Sequence, residues 1–153
     1  MSSQIDLYAM DKTVARLTAY QEQLQKAGES GQAEYDRLFN ASPAGIGAHE
    51  IDLAKRYVRV NPEEARQLGY AAGEMIGRDA SDFLFMREFS ARAMDKKLSG
   101  GPLRPFVLAF RRKNGTAVMM ALIDRHLKNA KGEIAGICTV MMELDTAAKK
   151  EPM

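Results

Sequence analysis

The sequence contains few of the residues that would commit it to a particular chemistry. Its 153 residues include no tryptophan and a single cysteine, Cys138. One cysteine cannot form an intramolecular disulfide, and it fits a reducing compartment. No apolar run approaches the roughly 20 residues of a membrane span, and the first residues lack the charged-then-apolar order of a signal peptide. These absences predict a cytoplasmic protein without a membrane segment.

An excess of charge of one sign is also lacking. The chain has 22 basic and 20 acidic residues, for a net charge of +2, which is too small to indicate nucleic-acid binding. It has no phosphate-binding glycine motif, no paired histidine and cysteine cluster, and no nucleophile with an identifiable base. We therefore predict no catalytic residues and no metal ligands. Any catalytic effector would lie outside this chain.

An amphipathic helix is predicted from Ile5 to about Ala27, before a glycine-rich cluster that begins at Gly28. Its apolar residues recur at alternating steps of three and four, and Gln21 fills the remaining position of this narrow stripe. Such spacing resembles a coiled-coil seam and predicts a homodimer, although three heptads are few. The alternative is a helix that folds back on its own domain. The predicted dimer contacts are Leu7, Met10, Val14, Leu17 and Leu24.

Start and stop signals alternate densely in the middle of the chain. A predicted hairpin, residues 45–52 and 56–60, ends at Asn61-Pro62, where the asparagine is a suitable helix cap. Short helical segments then close at Gly69 and Gly77. Glu63-Glu64 lies in a first turn, where carboxylates complement the helix dipole. A longer helix, residues 86–98, carries apolar residues at core spacing: Phe89, Ala93, Met94 and Leu98.

The last third of the chain predicts three strands, at residues 105–110, 117–123 and 134–142. These segments are nearly continuous apolar runs, whereas a sheet with one solvated face alternates apolar and polar residues. Both faces of this sheet are therefore expected to be covered. The helices between the hairpin and the third strand can cover one face. The N-terminal helix, from this chain or from a partner copy, is the element left for the other.

The order and spacing of these pieces resemble a PAS domain. Besides the central run, residues 38–46 resemble the entry to the first PAS strand, residues 110–115 the third hairpin, and residues 131–137 the turn into the last strand. The resemblance implies an α+β fold with a five-stranded antiparallel sheet in the order 2-1-5-4-3. Helices would enclose a small cavity on one face, with the N-terminal helix on the other. The predicted divisions are a helix and linker at 1–31, the PAS domain at 32–146, and the start of an output linker or tail at 147–153.

This resemblance also implies a function in signal transduction, for example in a two-component system. A PAS domain of this kind would be a sensor and a dimerisation unit. It would bind a small ligand or a partner and relay the change through its terminal helices to an effector such as a histidine kinase, a diguanylate cyclase or a transcription factor. The alternative is a ligand-free module for protein–protein interaction.

The sequence leaves the identity of a cofactor open but disfavours two. An oxygen-sensing heme PAS domain has a histidine on its long helix, and this chain has only His49 and His126, both at predicted strand ends. Either could be an axial heme ligand with a methionine opposite, but we interpret both as ordinary strand-end residues. A photoactive flavin PAS domain needs a cysteine on the central helices, whereas Cys138 lies on the last strand. Heme and covalently bound flavin are therefore both disfavoured.

Candidate cavity residues are small or flexible side chains on the predicted sheet and long helix. Flexible methionines can repack around a guest, although in a small domain they more often fill the core. For an anionic guest, the polar groups of interest are His49, Arg66 and Arg92. The predicted cavity residues are His49, Ala48, Met94, Met120 and Met141.

Overall fold

The structure is a computed structural model that describes the backbone of residues 7–144 and the side chains of residues 10–144. The output linker predicted at 147–153 and the side chain of Leu7 lie outside that range. The helices are α1 (Leu7–Ser30), α2 (Gln32–Asn40), α3 (Pro62–Leu68), α4 (Ala72–Met75) and α5 (Arg87–Leu98), with one 3₁₀ turn at Ala80–Phe83. The strands are β1 (Gly47–Asp52), β2 (Tyr57–Val60), β3 (Phe106–Arg111), β4 (Ala117–Lys128) and β5 (Ile134–Glu143).

The five strands form one antiparallel sheet in the order β2-β1-β5-β4-β3. This is the predicted α+β architecture. Strand β4 is longer than predicted and continues through Lys128. The added residues are mostly polar, and a pattern of apolar runs does not detect them. They remain in the sheet because they pair with β5 as far as Ile134.

Helix α3 begins at the predicted cap. The Asn61 side-chain oxygen accepts hydrogen bonds from the backbone N–H groups of Glu64, at 3.0 Å, and Ala48, at 2.9 Å. Its amide nitrogen donates to the Phe39 carbonyl and to the Ser42 hydroxyl, both at 3.1 Å. Asn61 is fully buried, so all four bonds form away from water. One side chain therefore fixes the helix to β1 and to the end of α2.

Two clusters of buried residues lie on opposite faces of the sheet. The inner cluster packs β-sheet residues against α3, α4 and the 3₁₀ turn, and includes Tyr57, Leu68, Met75, Phe83, Met120 and Ile137. The outer cluster packs the sheet against α1 and α2, and includes Leu17, Tyr20, Leu24, Phe39, Cys138 and Val140. The sheet is thus covered on both faces, and the outer cover is α1 of the same chain.

Helix α5 is less buried than its sequence predicts. Phe89, expected in the core, is 59% exposed, while Met94 and Leu98 are half-buried and pack against the inner cluster. Helix α5 packs mainly against the 3₁₀ turn and β5, and a cavity lies beside it. Apolar spacing predicted its buried face, but it could not reveal that part of this face borders an open space. None of the described helices has the length and hydropathy required to cross a bilayer.

Candidate functional site

A cavity of about 300 Å³ lies between the inner face of the sheet and α5. This volume is at the lower end of the range of about 300–1,000 Å³ for small-molecule sites. Most of the lining is apolar, with aromatic and aliphatic side chains from the 3₁₀ turn region, α5 and the strands. Representative members are Leu84, Phe89, Met94, Phe106, Phe110 and Leu122.

A buried polar triad stands behind one wall of this cavity. His49 lines the cavity from β1, and its Nδ1 lies 2.7 Å from Oε1 of Glu64. The Tyr57 hydroxyl donates to Oε2 of Glu64 at 2.7 Å, and the Tyr57 ring stacks on His49 with 4.3 Å between centroids. Burial raises the pKa of Tyr57, and the Glu64 carboxylate raises it further. Tyr57 therefore remains a protonated donor to Glu64.

Glu64 itself is fully buried. It was predicted as a first-turn carboxylate that complements the dipole of α3, and it does occupy that turn. Its side chain, however, points inward under the sheet, because Gly47 on β1 leaves room for it. A β-carbon built on Gly47 would lie 2.7 Å from Cβ and 2.9 Å from Cα of Glu64. This glycine allows α3 to approach the strand closely enough for the triad to form.

A second polar group adjoins the triad on the same face of the sheet, where Thr139 of β5 pairs with His49 of β1. Asp124 on β4 and Thr139 on β5 are paired across the two strands, and the Thr139 hydroxyl donates to Oδ1 of Asp124 at 2.6 Å. Lys97 on α5 donates to Oδ2 of Asp124 at 2.8 Å, and its ammonium group lies 3.5 Å from the centroid of the Phe106 ring. All of these residues line the cavity. Both oxygens of Asp124 are therefore already engaged within the protein.

The residues next to this pair in sequence face the other side of the sheet and contact α1. The Gln21 amide nitrogen donates to the backbone carbonyls of Ile123, at 3.0 Å, and Cys138, at 3.1 Å. Arg125 donates to the Gln21 side-chain oxygen at 2.9 Å and to the Tyr35 hydroxyl at 3.3 Å. The predicted seam position Gln21 is thus the polar attachment point of α1 to the sheet.

The family is decided by a match that covers most of the chain. A family model described as the PAS fold matches residues 33–144. The chain belongs to the PAS family. PAS domains are regulatory and sensory modules, which agrees with the fold and with the cavity. A search of curated proteins finds no match for this PAS domain.

Solved structures similar to this PAS domain support the same fold. The PAS domain of an HTR-like protein from Haloarcula marismortui is 22% identical, with a TM-score of 0.62, over 80% of this chain and 99% of that one. A domain of a sensory box sensor histidine kinase/response regulator from Geobacter sulfurreducens is 23% identical, with a TM-score of 0.59, over 72% and 91%. A light-oxygen-voltage domain studied with a flavin analogue is 22% identical, with a TM-score of 0.60, over 78% and 90%.

The predicted cavity residues are distributed over three environments. His49 and Met94 line the cavity, whereas Met120 and Met141 are fully buried in the inner cluster beside it. Ala48 belongs to the outer cluster and faces α1. Successive strand residues point to opposite faces of a sheet, so Ala48 cannot share a face with His49.

The residues predicted for an anionic guest are also separated. Arg66 is exposed and forms an ion pair with Glu63, and Arg92 is exposed on α5 outside the cavity lining. Of the three residues predicted for that role, only His49 borders the cavity.

Two of the predicted dimer residues, Leu17 and Leu24, lie on the side of α1 that packs on its own sheet. Both are fully buried within one chain, and Val14 and Met10 are half-buried. These two seam positions are therefore occupied by intramolecular contacts. The homodimer itself stays a prediction.

Two residues weighed for heme and for covalently attached flavin lie away from the cavity. His126 does not line the cavity, and its Nε2 is hydrogen-bonded to the Lys97 carbonyl at 2.8 Å. The Cys138 thiol lies in the outer cluster, on the far side of the sheet from the cavity. Among residues 7–144 there is also no cluster of side chains suited to a metal ion.

Several site residues were not found by sequence reasoning. Ser90, Lys97 and Asp124 lie in segments with no motif, and they meet only because α5 packs over β4 and β5. Glu64 was noticed, but only as a residue of the helix start. One local signal was available for it. The small residue Gly47 on a predicted strand allows a close approach of another element.

Proposed function

We propose that this PAS domain is the sensory module of a signalling protein. A small molecule occupies the cavity on the inner face, and the resulting change passes through the sheet to α1 and from there to an effector. The effector classes that the family resemblance implies are a histidine kinase, a diguanylate cyclase or a transcription factor. Support comes from two similar solved structures, a PAS domain from a two-component sensor histidine kinase and a domain of a sensory box sensor histidine kinase/response regulator, at 14% and 23% identity. The proposed location remains cytoplasmic.

One contact carries this proposal. The carbonyls bound by Gln21 belong to the peptide groups that precede Asp124 and Thr139 in the chain. Those two residues line the cavity and bond to each other. A guest that shifts Asp124 or Thr139 must therefore also move a peptide group that holds α1. In each of the two strands, the residue that lines the cavity shares a peptide group with the carbonyl that binds Gln21. Movement on the cavity face of the sheet is therefore passed directly to the face that contacts α1.

The relay is tested by filling the cavity with a side chain. Ala93 lines the cavity on α5, and Ala93→Phe is expected to imitate a bound guest. Amide hydrogen exchange should then change in α1, around Gln21, as well as in α5. The matched control is Ala33→Phe, the same substitution at an exposed residue of α2. Unchanged protection of α1 in a folded Ala93→Phe protein would contradict the relay.

Occupancy of the cavity is tested separately by native mass spectrometry of freshly purified protein. A retained small molecule that is lost in Ala93→Phe supports a sensor. A yellow chromophore released on denaturation would identify the guest as a non-covalently bound flavin. A clean apo mass, with no ligand found by thermal-shift screening, would argue against the sensory function.

We further propose that a homodimer forms by exchange of α1 between two copies. The contacts of Leu17 and Leu24 with their own sheet would then re-form with the sheet of the partner. In such a dimer, Leu17 and Leu24 would be buried against a sheet, as they are in the single chain, and would also be dimer contacts, as the seam predicts. Sedimentation over a range of concentrations, at or near physiological salt, tests the exchange. A single-chain mass at every concentration would exclude it.

An adaptor module without a ligand is the second candidate function. Three large apolar side chains near the start of α5 are exposed: Phe85 by 47%, Met86 by 63% and Phe89 by 59%. Adjacent exposed apolar residues of this kind commonly mark protein contacts. Phe89 also lines the cavity, whereas Phe85 and Met86 do not. Replacing Phe85 and Met86 with serine should abolish partner capture if the chain is an adaptor, while it would leave ligand binding inside the cavity largely intact.

A further inference from the structure

The polar groups of the cavity are not balanced between donors and acceptors. On the acceptor side, Asp124 has both oxygens engaged, by Thr139 and by Lys97. Glu64 has both oxygens engaged by the other two members of the triad. Every carboxylate oxygen of Asp124 and Glu64 therefore already accepts a hydrogen bond from within the protein, so these acidic groups do not need a donor from a guest.

Ser90 is a donor without a partner. It lies on α5, lines the cavity and is only 4% exposed. Within the described part of the chain, its hydroxyl oxygen has no hydrogen-bond partner. Leaving a buried polar group unpaired has a free-energy cost of about 1–3 kcal/mol. An unpartnered hydroxyl at the wall of an otherwise apolar cavity points to a group that arrives with a ligand.

His49 supplies a second polar atom without a partner. Its Nδ1 lies 2.7 Å from Oε1 of Glu64, and Nε2 has no partner among residues 10–144. His49 lines the cavity, so a polar atom of a guest can reach Nε2.

Arg104 supplies the remaining charge. It lines the cavity from the segment before β3 and is exposed, which places it at the rim. It forms no ion pair or hydrogen bond with the described residues. Lys97 is paired with Asp124, whereas Arg104 has no carboxylate partner among the described residues. A guest with a single negative charge would supply that partner.

We propose that the guest is a small monocarboxylate with an apolar, aromatic or short aliphatic body. The body occupies the apolar part of the cavity, and the carboxylate accepts hydrogen bonds from Ser90 and Arg104, whose side chains have no partner among the described residues. This inference rests on the proposed sensory function and specifies the ligand class of that site. A neutral guest would leave Arg104 without a counter-ion, and a cationic guest would add to its positive charge.

The test uses benzoate and its neutral isostere benzamide as probes of the full chain, by calorimetry and by amide NMR shifts. Benzoate should bind at least about fivefold more tightly than benzamide and shift residues that line the cavity. Equal or tighter binding of benzamide, or shifts confined to α1, would overturn the monocarboxylate class.

Two variants test which side chains donate hydrogen bonds to the carboxylate. Ser90→Ala removes the unpartnered hydroxyl, so the protein should stay folded while benzoate affinity falls about fivefold. Arg104→Gln should weaken benzoate about two- to fivefold, and the difference should shrink in high salt. The matched control is Arg92→Gln, which removes the same charge from an exposed site on α5 outside the lining. An equal loss in Arg92→Gln and Arg104→Gln would overturn the role of Arg104.

Failure of this inference is distinguishable from failure of the proposed function. If native mass spectrometry recovers a neutral molecule from the cavity and benzoate does not compete with it, the ligand class is wrong and the sensory function stands. If no small molecule of any charge binds the cavity, the sensory function fails and the ligand class fails with it.

Discussion

At the scale of single residues, Gly47 makes the buried triad possible. It is the position on β1 that faces the start of α3, and Glu64 lies directly against its backbone. The strand and the helix are held together there by Asn61, which bonds to both. A side chain at position 47 would have to push the backbone of α3 away, because the nearest atoms include Cα of Glu64 and not only a flexible tip.

Gly47→Ala is expected to destabilise the protein by about 1–3 kcal/mol, since the added methyl group overpacks against α3. Urea denaturation measures this loss. The matched control is Gly73→Ala on α4, where a β-carbon meets nothing within 4 Å. There alanine should be neutral or stabilising by up to about 1 kcal/mol. Equal stability of the two variants would contradict the close approach.

Cys138 illustrates how burial controls a reactive side chain. Burial raises the pKa of its thiol to about 12, so at pH 8 the group is almost entirely the unreactive thiol. We expect no alkylation by iodoacetamide at pH 8 in the folded protein and complete alkylation in urea. Mass spectrometry measures both. Rapid labelling of the native protein would mean that α1 leaves the sheet often enough to expose Cys138.

At the scale of elements, α1 is fixed to the sheet by apolar packing and by one polar side chain. Leu17, Tyr20 and Leu24 supply the packing. Gln21 lies among them, is only 5% exposed, and uses its amide as both donor and acceptor. Apolar contacts tolerate sliding, whereas these hydrogen bonds specify one register of α1 on the strands.

Gln21→Ala should therefore destabilise the protein by about 1–3 kcal/mol, because Arg125 loses its acceptor and two carbonyls lose a donor in a buried site. Amide exchange should rise in α1 before it rises in β4 and β5. The control is Gln23→Ala, the same change at an exposed position two residues away on the helix. If both variants behave alike, Gln21 is not the attachment point.

At the scale of the whole molecule, one sheet is shared by two cores with different tasks. The inner core contains the cavity and its polar walls, and the outer core fixes α1. Strands β4 and β5 take part in both, because their successive residues face opposite sides. Any rearrangement of these two strands at the cavity therefore also displaces the residues that contact α1. This displacement is the physical basis of the proposed relay.

A chain that begins at residue 31 should expose the outer face of the sheet. Ala48, Ala121, Cys138 and Val140 would lose their cover, and an apolar patch of this kind favours association. We expect dimers or larger species in sedimentation, and recovery of single chains when a peptide corresponding to residues 1–30 is added. A truncated chain that stays a soluble single-chain species would contradict the role of α1 as the cover.

The sequence allowed the sheet order, the cap at Asn61 and the helical cover to be predicted from start signals, apolar runs and the PAS resemblance. These features depend on short stretches, where each residue type has a known conformational preference. The length of β4 was underestimated because its second half is polar and is held by pairing with β5. Burial of Phe89 was wrongly expected because a helical period cannot show where the core ends in a cavity.

What the sequence by itself determined is the family, the order of elements and the need for a layer on each face of the sheet. Only the tertiary structure decided that α1 covers its own sheet and that Gln21 reaches Cys138, 117 residues further along the chain. It also decided that His49 meets Glu64 beneath β1 and that Ser90 has no hydrogen-bond partner within the part of the chain that the structure describes. Local preferences and periodicity act over a few residues. Charge balance and hydrogen-bond pairing in a cavity depend on which distant segments the fold brings together.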